Sequence, residues 1–297
     1  MKDRTLKYNL MLVLAAFIWG SAFVAQSVGT DYVKAFTFQC GRSILASLVL
    51  LPVILLVDRK KTEQERKDEK NSRKDLWIGG VLCGTCLGLS GVLQQHGISM
   101  TTVGKAGFLT AMYILIVPIL GLFFRKKVSA KIWACVGIEV IGLYLLCMTE
   151  HFYLSKGDTF VALCAVTFSI HILLIDYYAA KVDPIKLSCV QFFVSFVLCG
   201  IFAVFFEKPT WGAIWGARIP LLYLGVLSGG IAFTLQIVAQ KRTKPAVASL
   251  LMSLESVFSL VSGMIVLHEI PTLREGIGGF LMFGAIVLAQ IPEKKKS

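Results

Sequence analysis

Charge is scarce in this sequence, and the scarcity narrows the class of protein. Charged residues make up 16% of the 297 positions, whereas an ordinary soluble domain carries about 25%. Hydrophobic residues make up 56%, and they lie in blocks of roughly 20 residues, the length that a helix needs to cross the hydrocarbon core of a bilayer. Runs of about 10 residues that alternate between apolar and polar positions are missing, which argues against a transmembrane barrel. The composition therefore predicts an all-α integral membrane protein.

Several motifs that carry chemistry are also missing. There is no Walker motif, so ATP is not expected to be the direct energy source. Neither GxSxG nor HExxH occurs, which argues against a membrane-embedded hydrolase. All eight cysteines fall in apolar blocks, and the one CxxC pair, Cys83 and Cys86, has no second pair or histidine at ligand spacing. We interpret the cysteines as packing residues and expect neither a metal nor a cofactor.

Ten apolar blocks are long enough to form membrane-spanning helices. The first block has a basic start, as a signal peptide has, but it is long for one, and we interpret it as a retained helix. The predicted spans are 8–28, 36–57, 76–98, 104–124, 132–149, 158–179, 185–206, 219–240, 246–267 and 276–291.

The formal net charge of +12 comes mainly from basic residues in the joints between the spans. With the N-terminus inside, 23 Lys and Arg residues fall on the inner side and 6 on the outer side. This asymmetry follows the positive-inside rule and predicts that both termini are cytoplasmic. Membrane orientation thus accounts for the charge, and no nucleic-acid partner is expected. The mixed-charge stretch 58–75 is predicted to be a solvated cytoplasmic loop.

The two halves of the chain, 1–152 and 153–297, are related by nearly constant shifts. A shift of 142 residues superposes Gln94 on Gln236, Gly121 on Gly263, Gly137 on Gly279 and Gly142 on Gly284, and a shift of 149 superposes Leu14 on Leu163, Ala16 on Ala165, Cys40 on Cys189 and Arg42 on Gln191. Because a five-helix unit has odd parity, its second copy enters the membrane upside down. We therefore predict two inverted five-helix repeats, a plan that places a binding site between the halves near the midplane.

Three stretches resemble one family of membrane proteins along essentially the whole chain. They are the first-span sequence Ala15-Ala16-Phe17-Ile18-Trp19-Gly20-Ser21, the segment from Leu93-Gln94-Gln95-His96-Gly97 through Thr101–Thr110 to Val117-Pro118, and the late segment Ala248–Phe258 followed by His268-Glu269. These motifs are similar to those of the drug/metabolite transporter superfamily, in its ten-helix EamA-like branch.

This resemblance implies a secondary transporter that works by alternating access in the cytoplasmic membrane of a bacterium. It implies export of small organic metabolites such as amino acids or amines, with the solute and membrane lipids as partners, and coupling to protons or another ion stays open. The chain departs from the family pattern at Ser256, where proline is usual, and at Lys126-Lys127, where Gly-Glu is common. No acid lies in span 8–28, so the first-helix glutamate of related four-helix multidrug pumps has no counterpart.

Polar groups within the spans are the candidates for a binding site. A charged group at the centre of a bilayer costs about 2.5–3.5 kcal/mol, so it needs a partner or a wet cavity. The predicted substrate-binding residues are Trp19, Arg42, Gln94, Lys105, Tyr113, His171, Gln191, Gln236 and Glu255. No catalytic residue is predicted, and the alternative function is a membrane-embedded enzyme that acts on a lipid or small amphipathic substrate.

Each candidate also has a structural interpretation. Arg42 could bind a carboxylate or phosphate in its bidentate fork, or form a fixed pair with an acid or with backbone carbonyls. Glu255 lies near mid-membrane and could carry a proton, or it could be a fixed partner for a basic side chain or for Ser259. His171 could relay protons or simply pack. The resemblance implies that spans five and ten are peripheral, so Glu139 in span five is expected to be structural.

The predicted topology can be checked by cysteine-accessibility mapping of Gln64→Cys and Gly212→Cys. An impermeant thiol reagent should label position 212 from outside intact cells and position 64 only after permeabilisation, because the basic residues fix the orientation. Labelling of position 64 from outside would refute the predicted orientation.

Overall fold

The described part of the chain is all-α. The computed structural model describes residues 2–101, 103–123, 128–147, 155–266 and 272–291. Within them, ten helices are long and apolar enough to cross a membrane, which confirms the predicted number of spans. They are α1 (Leu6–Thr30), α2 (Ala35–Arg59), α3 (Arg73–Ile98), α4 (Lys105–Phe123), α5 (Ala130–Cys147), α6 (Lys156–Ala179), α7 (Pro184–Glu207), α8 (Arg218–Gln240), α9 (Pro245–Ser262) and α10 (Leu273–Gln290). The predicted span ends Phe124, Thr149 and Leu267 and the motif residues Lys126, Lys127, His268 and Glu269 lie outside the described residues.

Local capping chemistry sets several helix starts. α6 begins at a capping box, in which the side chains of Ser155 and Asp158 each accept the other's backbone N–H. The start of α2 is capped by another helix. The Glu207 carboxylate, at the end of α7, accepts the backbone N–H groups of Phe36 and Thr37 at 2.9 and 2.7 Å. Because a carboxylate is favourable at a helix N-terminus, this contact joins α2 to α7.

The helices pair in a pattern that is symmetric between the halves. The predicted repeat makes α1 to α4 equivalent to α6 to α9. The contact of α1 with α9 then corresponds to that of α6 with α4, the contact of α2 with α8 to that of α7 with α3, and the contact of α3 with α6 to that of α8 with α1. Two further contacts, α2 with α7 and α5 with α10, join helices that the repeat would exchange with each other. This pattern is the one that the inverted repeat predicts, and the repeat itself remains a prediction.

Three of the spans that surround the centre of the bundle are not regular α-helices. α4 is interrupted at Met112, between the segments Val103–Ala111 and Tyr113–Phe123. α9 is interrupted at Ser253, between Pro245–Met252 and Leu254–Val266. α8 contains a π-helical stretch, Tyr223–Phe233. Irregular backbone at membrane depth is tolerated where protein or a cavity satisfies it. The interruptions therefore point to the space between α4, α8 and α9.

Glycines let α3 lie directly against α7. A Cβ atom at Gly84 would lie 2.5 Å from the Gln191 carbonyl oxygen, and one at Gly80 would lie 2.3 Å from a methyl carbon of Val190. Neither distance leaves room for a side chain. Close approach of this kind is how membrane helices gain van der Waals contact, since lipid offers no hydrophobic drive for packing.

The segment between α2 and α3 differs from the solvated loop that we predicted. It contains a short helix, Glu63–Asn71, which starts at a capping box formed by Thr62 and Glu65. Residues 62–68 are exposed, as a solvated segment should be, whereas Lys61 and Glu69 are partly buried because they pair with oppositely charged groups of the second half.

Two lysines and three acids join this segment to the start of α7. Lys61 pairs with Asp58 at 2.8 Å, with Asp183 at 2.9 Å and with Glu69, and Lys186 pairs with Asp58 at 2.9 Å and Glu69 at 2.8 Å. Burial acts to lower the pKa of Lys61, but its hydrogen bonds to the three acids outweigh burial and raise that pKa. Burial acts to raise the pKa of Asp183, but the hydrogen bonds from Lys61 and from the backbone N–H groups of Lys186 and Ile185 together outweigh burial and lower that pKa. The network links the two halves on the predicted cytoplasmic side.

The contact between α5 and α10 provides a test of this packing. A Cβ atom at Gly142 would lie 2.7 Å from the Gly278 carbonyl oxygen, whereas nothing lies within 4 Å of one at Gly137 on the same helix. We expect Gly142→Ala to lower the thermal unfolding temperature, in line with an overpacking cost of about 1–3 kcal/mol. The control Gly137→Ala should leave that temperature unchanged or raise it. Equal melting curves for the two variants would contradict the packing.

Candidate functional site

A cavity lies between the halves, near the middle of the bundle. It encloses about 520 Å³ of empty space, its opening included. Seven helices contribute to it, and none of its described lining residues belongs to α5 or α10. The lining residues are Trp19, Ala22, Phe23, Gln26, Arg42, Gln94, Thr110, Tyr113, Phe168, Ile172, Ser228, Phe233, Gln236, Met252 and Glu255.

The structure brings six of the nine predicted site residues to this cavity. They are Trp19, Arg42, Gln94, Tyr113, Gln236 and Glu255. The other three lie elsewhere. His171 and Gln191 are fully buried and bond to each other, with 3.0 Å between Nε2 and Oε1. Lys105 is partly exposed and acts electrostatically on Asp158, away from the cavity lining. That the six residues bind a substrate stays a prediction.

The lining follows the shifts that relate the two halves. A shift of 149 pairs Trp19 with Phe168 and Phe23 with Ile172, and a shift of 142 pairs Gln94 with Gln236, Thr110 with Met252 and Tyr113 with Glu255. Ten of the fifteen lining residues therefore form five equivalent pairs. One such pair is in direct contact, because the Tyr113 hydroxyl donates to Glu255 Oε1 at 3.0 Å. Equivalent residues that touch lie on the axis that relates the halves, so this hydrogen bond marks the predicted axis.

The cavity carries one charged group of each sign. Arg42 is 5% exposed, its Nε atom has no hydrogen-bond partner, and no ion pair among the described residues involves it. Glu255 is 6% exposed and is held by Tyr113, not by Ser259 as one interpretation of the sequence had it. A buried charge without a partner is costly. The Arg42 guanidinium is therefore a group that an anionic ligand would stabilise.

Aromatic rings and unpaired polar atoms complete the wall. The rings of Trp19 and Phe233 meet edge to face with centroids 4.8 Å apart. Buried atoms without a hydrogen-bond partner include Trp19 Nε1, Gln26 Oε1 and Gln236 Oε1. Buried polar groups are normally paired, so such a cluster deserves an explanation. Water or a polar solute in the cavity would satisfy these atoms.

Sequence reasoning missed part of the lining. Phe168 could have been found, since it is the equivalent of the predicted residue Trp19, whereas Ile172 and Met252 are equivalents of Phe23 and Thr110, which were not predicted. Ser228 and Phe233 lie in the π-helical part of α8, where an α-helical period of 3.6 residues does not describe which side chains share a face. No signal in the sequence identified them.

Comparison with known proteins defines the class. A family model described as the EamA-like transporter family matches the chain twice, over residues 6–148 and 155–290. The two matches begin 149 residues apart and end 142 residues apart, which are the shifts that relate the halves. Ten spans and this match make the chain a multi-pass membrane transporter. It belongs to the EamA-like transporter family.

Individual relatives agree with this assignment. An uncharacterized transporter of Archaeoglobus fulgidus is 29% identical over 288 residues, which cover 95% of this chain and 85% of that protein. The uncharacterized transporter YoaV of Bacillus subtilis is 24% identical over 287 residues, covering 93% of this chain and 94% of that protein. A solved crystal structure matches with a TM-score of 0.77 at 16% identity, covering 95% of this chain and 96% of that one. This last likeness shows the fold.

The bond between Tyr113 and Glu255 predicts a cost for removing the tyrosine hydroxyl. Tyr113→Phe leaves the Glu255 carboxyl without its one hydrogen bond among the described residues, which costs about 1–3 kcal/mol for a buried group. We expect a lower unfolding temperature. The matched control is Tyr144→Phe, because Tyr144 on α5 is 41% exposed. An equal effect of the two substitutions would contradict the role of the bond.

Proposed function

We propose that this transporter exports small zwitterionic metabolites, such as amino acids, by alternating access. The observation that carries the proposal is the pair of opposite charges on the cavity wall, Arg42 and Glu255. A solute with a carboxylate and an ammonium group would place one near each. The direction of transport and the location in the cytoplasmic membrane of a bacterial cell follow from the resemblance to the family and form part of the proposal.

Arg42 supports recognition of a carboxylate. Its guanidinium presents several N–H donors in a planar fork that matches the two oxygens of a carboxylate. Because the protein provides it with no acid among the described residues, a solute carboxylate would offset the cost of its burial. The Glu255 carboxyl and the Tyr113 hydroxyl supply acceptors for a solute ammonium group.

A second opening supports a path to the cytoplasmic side. A wide cleft of about 2210 Å³, open to solvent, lies on the predicted cytoplasmic side, and Val117, Asp176 and Gln240 are among its lining residues. On the same three helices, Tyr113, Ile172 and Gln236 line the central cavity. Each of them lies one helical turn before the corresponding residue of the cleft. One turn of α-helix is about 5.4 Å, so a thin layer separates cavity from cleft. The Gln240 side chain crosses this layer and donates to the Ile172 carbonyl oxygen at 3.2 Å.

The cavity is asymmetric in a way that suits alternating access. Ala22, Gln26 and Arg42 extend its lining toward the predicted outer side, while their equivalents under the 149 shift, His171, Ile175 and Gln191, do not line it. In an inverted repeat, the opposite conformation arises when the two halves exchange their shapes. We infer that His171 and Gln191 would line the cavity in the inward-open conformation, where Gln191 takes the place of Arg42.

The proposal is tested by solute efflux from proteoliposomes. The solutes are paired, each amino acid being compared with the amine that lacks its carboxylate. The wild type should move the amino acid faster than the amine, and Arg42→Gln should remove most of this preference, because a bidentate charge-assisted pair contributes about 1.5–3 kcal/mol, or roughly 10- to 150-fold.

Arg42→Lys is the matched control, because it keeps the charge but loses the planar fork, and it should retain part of the preference. Wild-type protein that moves amines as fast as amino acids, or an Arg42→Gln variant with the full preference, would refute recognition of the carboxylate. Absence of any solute flux from active vesicles would refute the transport proposal itself.

A further inference from the structure

A buried acid lies behind the cavity, on a helix that contributes nothing to the described lining. Glu139, near the middle of α5, is 0% exposed. Its Oε1 atom is in hydrogen-bond contact with the Ser253 hydroxyl of α9. Its Oε2 atom is buried and has no partner, and no ion pair among the described residues includes it. This acid therefore has the burial of a core residue without the cation that usually accompanies a buried carboxylate.

The hydrogen bonds around Ser253 indicate the state of this acid. The Ser253 hydroxyl also lies 2.8 Å from the Leu250 carbonyl oxygen. A serine hydroxyl has one proton to donate and two lone pairs that accept. If its proton goes to Leu250, then Glu139 must be the donor in its contact with Ser253, and only a protonated carboxyl can donate. We propose that Glu139 holds a proton in this conformation and releases it to water during the transport cycle.

Apart from the Ser253 hydroxyl, the described residues around Glu139 supply no group that would stabilise a carboxylate. Of the helices packed against α5, α4 presents the Tyr113 hydroxyl, on which Glu139 acts electrostatically, and α9 presents the Ser253 hydroxyl. α10 has no titratable residue between positions 276 and 289, and α5 itself adds the thiol of Cys135 near Glu139. None of these groups is a cation. An ionised carboxyl here would be fully buried with no cation among the described groups around it, which disfavours the charged form.

Ser253 connects this proton site to the cavity. It lies at the interruption of α9, two positions before Glu255. Loss of the Glu139 proton would make its carboxylate an acceptor that competes with the Leu250 carbonyl for the serine proton. The hydrogen bond from the Ser253 hydroxyl to the Leu250 carbonyl oxygen, at the end of the first segment of α9, would then weaken beside the cavity wall. Release of the proton and movement of α9 are thus coupled through one hydroxyl, an assignment that differs from the structural role expected for Glu139.

The proton itself can be observed without knowing the solute. Infrared difference spectra of the purified, lipid-reconstituted protein in H₂O and D₂O should contain the carbonyl band of a protonated carboxyl. We expect Glu139→Gln to remove this band, or its larger part, and Glu255→Gln to leave that part in place. An unchanged band in Glu139→Gln protein would overturn the proposal.

A second variant covers the case in which Glu139→Gln does not fold. Ser253→Ala keeps the acid but removes its hydrogen-bond partner, so the carboxyl band should shift in position. A band at the wild-type position would overturn the pairing of Glu139 with Ser253.

The release of the proton rests on the proposed function and is tested with an amino-acid mixture in proteoliposomes that contain a pH-sensitive dye. Wild-type protein should show proton movement when the mixture is added, and Glu139→Gln should abolish it while exchange of the amino acids between the two sides continues. Proton movement at the wild-type rate in Glu139→Gln vesicles would overturn the coupling. Absence of amino-acid flux in the wild type would overturn both the proposed function and the coupling, whereas the infrared result would still decide whether Glu139 holds a proton.

Discussion

The cost of burying polar groups away from water is the constraint on which this structure depends. In hydrocarbon, each backbone or side-chain polar group must find a partner within the protein. Many polar residues of the spans do so across helices, as Ser43 does with Ser195 at 3.0 Å and Ser188 with Thr234 at 2.9 Å. At the cavity, Arg42 and Trp19 have buried nitrogens without an acceptor. The unpaired groups therefore locate the place where the protein leaves room for something else.

The Tyr113–Glu255 contact gives this place its geometry. Two residues that are equivalent in the halves differ in chemistry, and they meet beside the interruptions of α4 and α9. On the predicted repeat, a symmetric scaffold would thus have an asymmetric centre, with one acid where symmetry alone would give two like groups. Arg42 and Gln191 form a second unequal pair. Such differences would let one half hold a charged solute more strongly than the other while the halves move alike.

Length and hydropathy determine the spans, which is why all ten could be predicted. The shift between the halves makes Tyr113 the equivalent of Glu255, but the contact between them was not predicted, because register along the helices does not say which equivalent residues meet. Rotation about a helix axis depends on partners that are distant in sequence, so the placement of His171 and Gln191 behind the wall could not be derived. The π-helix in α8 changes the period on which face assignments rest. The ion pairs of Lys61 were missed for the same reason as His171, since Asp183 lies in the other half.

The central claim is that the cavity between the halves binds the transported solute by its two charges. The most direct measurement is a structure of the lipid-embedded transporter at a saturating concentration of a transported amino acid. The account predicts solute density in the cavity, with the carboxylate on the Arg42 guanidinium and the ammonium group at Glu255 and Tyr113. An empty cavity with the solute bound elsewhere, for example in the cytoplasmic cleft, would contradict it.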